Sequence, residues 1–456
     1  MNDFLFEEFN EVSAKQWKQQ IQYDLKGADY NEALIWQSPE GINVKPFYHA
    51  DDFKENFRPV PGQPKSWKIA QSIFIDDEAI ANKIALDAID RGAESIIFSA
   101  EKEFDFNKTF ASFPFEEIPI YFEIKFLSDA FYSKLILFFS DKKATVHYNI
   151  DIIGNLARTG NWFHSLKEDH AILDSILEKN ASENILSVHA SLYQNAGANI
   201  VQQLAYALAH ANEYLNHLSP ALLQSQIFTF QLATGPNYFF EIAKIRALRI
   251  LYETLAREYN AREICHIVVT PSKRNKTLYD YNVNMLRSTT ECMSAVLGGA
   301  DAVCNLPYDA LYHKSNEFGE RIARNQLLVL KHESYFDTVS NPADGTYYIE
   351  SLTEELAEKA LQLFKEIEKG GGFLQQLKDG TIQKKIKESA EKEQQAYNAG
   401  QLKLLGTNYH PNKNDRMKED LELFPFVKNN PVKTLIAPIV EKRLAETTEQ
   451  ERLKTE

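Results

Sequence analysis

Eight short apolar runs alternate with amphipathic stretches between residues 67 and 306, and this alternation restricts the fold more than any other feature of the chain. The runs are 67–75 (WKIAQSIFI), 94–99, 118–126, 144–150, 185–191, 225–233, 264–270 and 302–306, rich in β-branched or aromatic residues and bounded by Gly, Pro, Asp or Asn. Between them, 77–91, 199–217, 238–259 and 283–297 carry apolar residues at i, i+3, i+4 and i+7, the spacing of a helix with one buried stripe. Gly92 and Gly298–Gly299 mark two helix stops. Strands joined in sequence by helices run parallel and need cover on their outer faces. Eight of them predict an α/β fold, a closed (β/α)8 TIM barrel, in preference to an open sheet. The pattern is weakest over 127–160.

Flanking regions read differently. Residues 13–26 fit one helix, with Ser13 as N-cap and Gly27 at its end. Prolines at 39, 46, 59, 61 and 64 then forbid continuous helix, so 1–66 is an extended N-terminal arm. Its Trp36, Phe47, Tyr48, Phe53 and Phe57 need a surface to bury against, on this chain's own body or on another chain. Beyond a barrel at 67–350, residues 351–456 form a C-terminal helical annex and tail. Helices are expected at 317–332, at 352–369 and at 380–400. The second has Ser351 and Glu354 at capping-box spacing and Gly370–Gly372 at its stop. The charged end, EKRLAETTEQERLKTE, reads as helical or frayed.

A net charge of −14 argues against nucleic acid or an anionic membrane as partner. No apolar run approaches the roughly 20 residues of a membrane span. The acidic start MNDFLFEEF lacks the basic segment of a signal peptide. Cys265, Cys292 and Cys304 form no CxxC pair and lie in apolar runs, as reduced thiols of the cytoplasm do. No G-x-S-x-G, HExxH or paired-Cys zinc spacing occurs. GGGF at 370–373 reads as a helix stop rather than a phosphate loop, and His164 and His170, flanking an acidic loop, read as solvated side chains, so no metal site is expected.

Five segments in the second half, EIAKIRALR (241–249), NVNMLRSTTECMSAVLGGAD (282–301), RIARNQ (321–326), NPADGTYYIESLT (341–353) and GTNYHPN (406–412), together resemble methylmalonyl-CoA mutases in letters, order and spacing. LKG…W…EGI…PFY over 25–48 resembles the small, β subunit of that family in particular. Most of these residues have structural readings. Glu241, Lys244 and Arg246 can pair along or near one helix face. Arg321 and Arg324 can anchor loop carboxylates or carbonyls. NPADG is a turn in which Pro342 presets φ and Gly345 accepts a positive one.

The resemblance implies an adenosylcobalamin-dependent acyl-CoA mutase, and the sequence departs from it where the chemistry would lie. No DxHxxG, the motif whose histidine reaches cobalt, is present. A YHMQEAGA-type run becomes SLYQNAGA (191–198), so the family's histidine falls on Leu192, which neither donates a hydrogen bond nor moves a proton. His189 lies three residues earlier, which on a strand is the opposite face. A TMYxxRPWTIRQYAGF-type segment is missing. The arginine opening the sixth strand falls on Ile227, with Thr229 at the next inward place, and a QTS run becomes TPS (270–272), retaining Ser272. Asp309 matches a family aspartate and reads as a helix cap or arginine partner.

No catalytic or cofactor-binding residue is therefore expected; Gln194, Asn195, Thr229 and Ser272 are the substrate-channel remnants. The resemblance implies a small, non-catalytic subunit of a heterodimer, with adenosylcobalamin and acyl-CoA on a larger catalytic mutase subunit. Two alternatives are a catalytic barrel served by a separate cobalamin-binding chain and a scaffold for the mutase or its cofactor-loading GTPase. Tyr121, Glu123, Lys125, Thr229 and Gln231 alternate with apolar residues that face helices, so they point into the barrel.

Overall fold

A computed structural model describes residues 8–53, 57–180, 184–428 and 432–456. All eight predicted strands form. They are β1 (Lys68–Phe74), β2 (Ser95–Ala100), β3 (Ile120–Ile124), β4 (Val146–Ile150), β5 (Asn184–Val188), β6 (Thr229–Thr234), β7 (His266–Pro271) and β8 (Ala302–Cys304). Each pairs in parallel with its sequence neighbours, and β8 closes on β1, with Val303 opposite Ile69. The weakly patterned stretch resolves into helix Asp129–Phe139, strand β4 and helix Ile152–Thr159. Phe98, Phe110, Phe122 and Phe139 pack between strands and helices there, where aromatic bulk replaces clear periodicity. No described helix is long and apolar enough to cross a membrane.

Cap chemistry sets the helix starts. Ser13, Asp77, Ser128, Asp151, Ser165 and Asn199 each accept a backbone N–H from the first turn that follows. The helix expected at 352–369 begins earlier, at Tyr347, so Ser351 and Glu354 lie inside it and form no capping box. The NPADG turn explains the early start: Gly345 has φ 76°, and its N–H donates to Glu350 Oε1 at 2.8 Å. Helix Glu317–Leu328 is shorter than expected and widens into a π turn, Val329–Glu333, from which the buried Lys331 donates to Trp67 O and Glu94. GGGF both stops the preceding helix and opens a short one, Phe373–Lys378; Glu213 already accepts the Leu374 N–H at that end.

The shared motifs are scaffolding. Arg246, fully buried, binds Asp344 and Glu350 and so ties the helix Tyr238–Glu258 to the NPADG turn. Arg249 donates to the carbonyls of Gly299 and Cys265 and to Asp301. A Cβ at Gly298 would lie 3.0 Å from the Ile242 carbonyl, so the glycine pair permits close packing of two helices. Lys244 pairs with Glu241, and Arg324 donates to the Arg91 carbonyl.

Arm aromatics pack on the chain's own body: Trp36 on Phe240, Tyr48 on Tyr348, and both Phe53 and Phe57 on Tyr347. Phe47 meets Trp17 of the arm's own helix, Ala14–Asp24. That helix buries none of its residues, and Trp17 stays 50% exposed. The charged tail is not frayed. Helix Glu446–Lys454 docks with Arg443, Glu446 and Glu449 buried. Removing the acids around a buried guanidinium leaves an uncompensated charge. Asp344→Ala/Glu350→Ala, which removes both partners of Arg246, is accordingly expected to lower stability by about 3–5 kcal/mol, read from the urea midpoint; a loss near zero would mean Arg246 is solvated.

Candidate functional site

The barrel axis is filled. Period-2 alternation turns Tyr121 of β3, His147 of β4, Thr229 of β6 and His266 of β7 inward, and they meet across the axis. Tyr121 OH lies 2.9 Å from His266 Nε2, and His147 Nδ1 lies 3.1 Å from Thr229 Oγ1. The two imidazoles stack with centroids 4.3 Å apart, and the Tyr121 ring stacks on His147 at 4.7 Å. Ala70, Ile97, Val268, Ala302 and Cys304 pack with Tyr121 in the same layer. Burial lowers both histidines, His266 to about 3, so the stack holds neutral rings.

Above this layer β5 ends at Val188, and residues Ser191–Asn195 form a single helical turn. Strand parity therefore does not carry from His189 to Leu192. Leu192 is fully buried in the apolar core, and Tyr193 OH pairs with His210 Nδ1 at 2.9 Å. His210 Nε2 and Tyr214 OH both donate to Asp151 Oδ1, at 2.9 and 2.8 Å, and the His189 N–H donates to Asp151 Oδ2. Burial works against the Asp151 charge, but His210, His189 and these donors outweigh it and hold the carboxyl far below its usual range. This buried cluster fixes the loop.

The four predicted remnants divide. Thr229 belongs to the axial stack. Gln194 donates to Glu241 Oε1 at 3.1 Å and accepts from Lys244 Nζ at 2.8 Å. Asn195 and Ser272 come together, Ser272 Oγ donating to Asn195 Oδ1 at 2.9 Å. Asn195 also meets the C-terminal segment: its Nδ2 donates to Glu441 at 3.0 Å and its carbonyl accepts the Lys442 N–H. Asp309 lies five residues past the end of β8. It accepts from Asn316 Nδ2 at 2.8 Å and pairs with His313, bracing the next helix rather than an arginine. His164 bonds the Leu127 carbonyl, and His170 rests against His217. Among the described residues no three His, Cys, Asp or Glu side chains converge as metal ligands.

Residues 434–449 act as a strap across the C-terminal mouth. Ile436 and Ile439 donate backbone bonds to Gly160 and Ala157, beyond β4; Leu444 donates to Arg274, beyond β7; Arg443 donates to the Lys276 carbonyl and pairs with Glu449, which accepts the Leu278 N–H. Beside the strap a cavity of about 40 Å³ is lined by Glu123, Lys125, Asn149, Arg158 and His189, among others. Asn149 has φ 51°, at a register shift in β4, and both its amide atoms are buried without a protein partner. His189 Nδ1 faces Arg158 at 3.5 Å, and its buried Nε2 is unpartnered. The sequence carried no signal for Asn149, Arg158 or the strap, because each depends on a bulge or on pairing between distant segments.

Fold and mouth together define a (β/α)8 barrel with side chains stacked across its axis and a C-terminal strap over its mouth. Residues 99–452 match the methylmalonyl-CoA mutase family. The chain is 35% identical to the methylmalonyl-CoA mutase small subunit of Porphyromonas gingivalis, across 90% of this chain and 71% of that protein. It is 28% identical to the small subunit of Streptomyces virginiae (83% of this chain, 67% of the relative) and 25% identical to that organism's large subunit (87% and 62%). The chain belongs to the methylmalonyl-CoA mutase family.

Two outcomes follow from this geometry. Burial lowers His189 to about 4, against about 6.5 when unfolded, so the unfolded chain takes up a proton that the folded chain refuses. The stability from neutral His189 is complete above about pH 6.5 and is lost as pH falls toward 4. Thermal melts across that window should show a shallower pH slope for His189→Gln than for the parent; equal slopes would place His189 in solvent. Arg443→Ala should release the strap, speeding amide hydrogen exchange at Leu278 and Leu444 while leaving β1–β8 protected.

Proposed function

We propose that this chain is the small, non-catalytic subunit of a heterodimeric, adenosylcobalamin-dependent methylmalonyl-CoA mutase, whose larger subunit interconverts methylmalonyl-CoA and succinyl-CoA. The observation that carries this reading is the axial stack of Tyr121, His147 and His266, which occupies the path an acyl-CoA would take along the barrel. Leu192, buried where the family has a histidine, offers no proton donor at that position. Adenosylcobalamin does not fit this mouth, since the strap residues Glu441–Leu444 lie across it, bonded to Asn195 and Arg274. These facts support a cofactor carried by the partner, whose chemistry is the adenosyl radical rearrangement. The unburied arm helix Ala14–Asp24, with Trp17 and Tyr23 outward, supports an arm that closes on a larger mutase chain. Such a heterodimer belongs in the cytoplasm, in keeping with three buried free cysteines.

Coexpression with a larger mutase chain tests the proposal. The expected product is an equimolar complex whose cobalamin content equals one per large subunit, with no turnover by the isolated small chain. The unpartnered Asn149 and His189 favour a second reading, a catalytic barrel served by a stand-alone cobalamin-binding chain. Isomerisation on adding such a protein to the isolated chain would establish that reading and sink the first.

A further inference from the structure

A second, larger cavity opens at the rim of the mouth, on the β7–β8 side of the strap. Its volume is about 360 Å³, the size range of small-ligand sites. Asn195 and four segments build it: Lys273 and Arg274 after β7, Leu306, Ala310 and Leu311 after β8, and the C-terminal stretches Leu423–Lys428 and Glu441–Glu446. Neither the blocked axis nor the buried Asp151 cluster contributes to it.

The charges are unbalanced. Lys273, Lys428 and Lys442 are exposed at its edge, and none has a carboxylate within ion-pair distance among the described residues. It also carries two carboxylates: Glu441, which accepts from Asn195 at 3.0 Å, and Glu446, which accepts the Val427 N–H at 2.5 Å. Arg274 is held by Glu393, whereas Arg443, bound to Glu449, keeps its buried Nε without a partner. In a chain of net charge −14, three lysines without an ion-pair partner outnumber these two carboxylates around one concavity, a local surplus of positive charge.

The walls add an aromatic surface. Phe424 is 60% exposed, braced edge-on by Phe426 with centroids 5.5 Å apart. An exposed ring held in place beside cations is a stacking platform for a planar group whose attached anion meets the lysines. Inorganic phosphate would leave the apolar wall unused, and an uncharged aromatic would leave the lysines unused.

We propose that this rim cavity binds a nucleotide, with its base on Phe424 and its phosphates among Lys273, Lys428 and Lys442. The site lies off the blocked axis, with Asn195 in its lining, and gives the chain a ligand of its own.

Equilibrium dialysis of the full chain at fixed ionic strength, with ADP, adenosine and inorganic pyrophosphate as probes, tests it. ADP should bind saturably, and adenosine and pyrophosphate each at least about tenfold more weakly, since each lacks one half of the recognition. Lys273→Gln/Lys428→Gln/Lys442→Gln should weaken ADP by at least about tenfold. Phe424→Ala should weaken ADP and leave pyrophosphate unchanged. All four side chains are exposed, and an unchanged thermal melt confirms each variant as folded. No saturable ADP binding, ADP binding indifferent to the triple substitution, or pyrophosphate binding as tightly as ADP would each overturn the proposal.

Discussion

Stacking of Tyr121, His147 and His266 across the barrel axis is the contact on which the functional account rests. A parallel barrel of eight strands has an interior just wide enough for side chains to fill, so three rings in one layer exhaust it. The rings come from β3, β4 and β7 and meet through hydrogen bonds at 2.9 and 3.1 Å that include Thr229 of β6. Burial keeps both imidazoles neutral, so the layer carries no charge that would draw in water or an anionic ligand. Polar residues in this layer are compatible with a filled axis because Tyr121 pairs with His266 and His147 with Thr229.

Outside the axis, the residues that mark the family are largely ionic and buried. Lys244 with Glu241, Arg246 with Asp344 and Glu350, and Arg249 with Asp301 all join the helix Tyr238–Glu258 to neighbouring segments. Such pairs repay their desolvation only when the geometry is good, and apolar replacements often match them in stability. Their consistent effect is to fix one arrangement of turn, helix and strand. A chain can therefore keep these buried ion pairs while Tyr121, His147 and His266 stack across its axis.

Sequence periodicity revealed the barrel because each strand is bounded by turn residues and each helix by a cap, both local signals. All eight strands were legible, including β4, where the pattern was weakest. The helix start at Tyr347 was not, because the Gly345 turn and Glu350 together outweigh the capping-box spacing of Ser351 and Glu354. Of the site, Leu192 was legible as a missing donor, and Thr229 as an inward residue. The parity argument for His189 does not apply, because β5 ends at Val188. The strap was illegible: its charged residues resemble any solvated tail until Arg443 and Glu449 are seen buried against loops more than a hundred residues away.

The claim that a filled axis makes this barrel a partner rather than a catalyst is tested most directly by acyl-CoA binding to the isolated chain. Titration with succinyl-CoA in saturating ADP, which fills the rim cavity, followed by calorimetry, should give no saturable heat, because no path along the axis is free. Stoichiometric binding of one acyl-CoA per chain, abolished by competing free coenzyme A, would contradict the account.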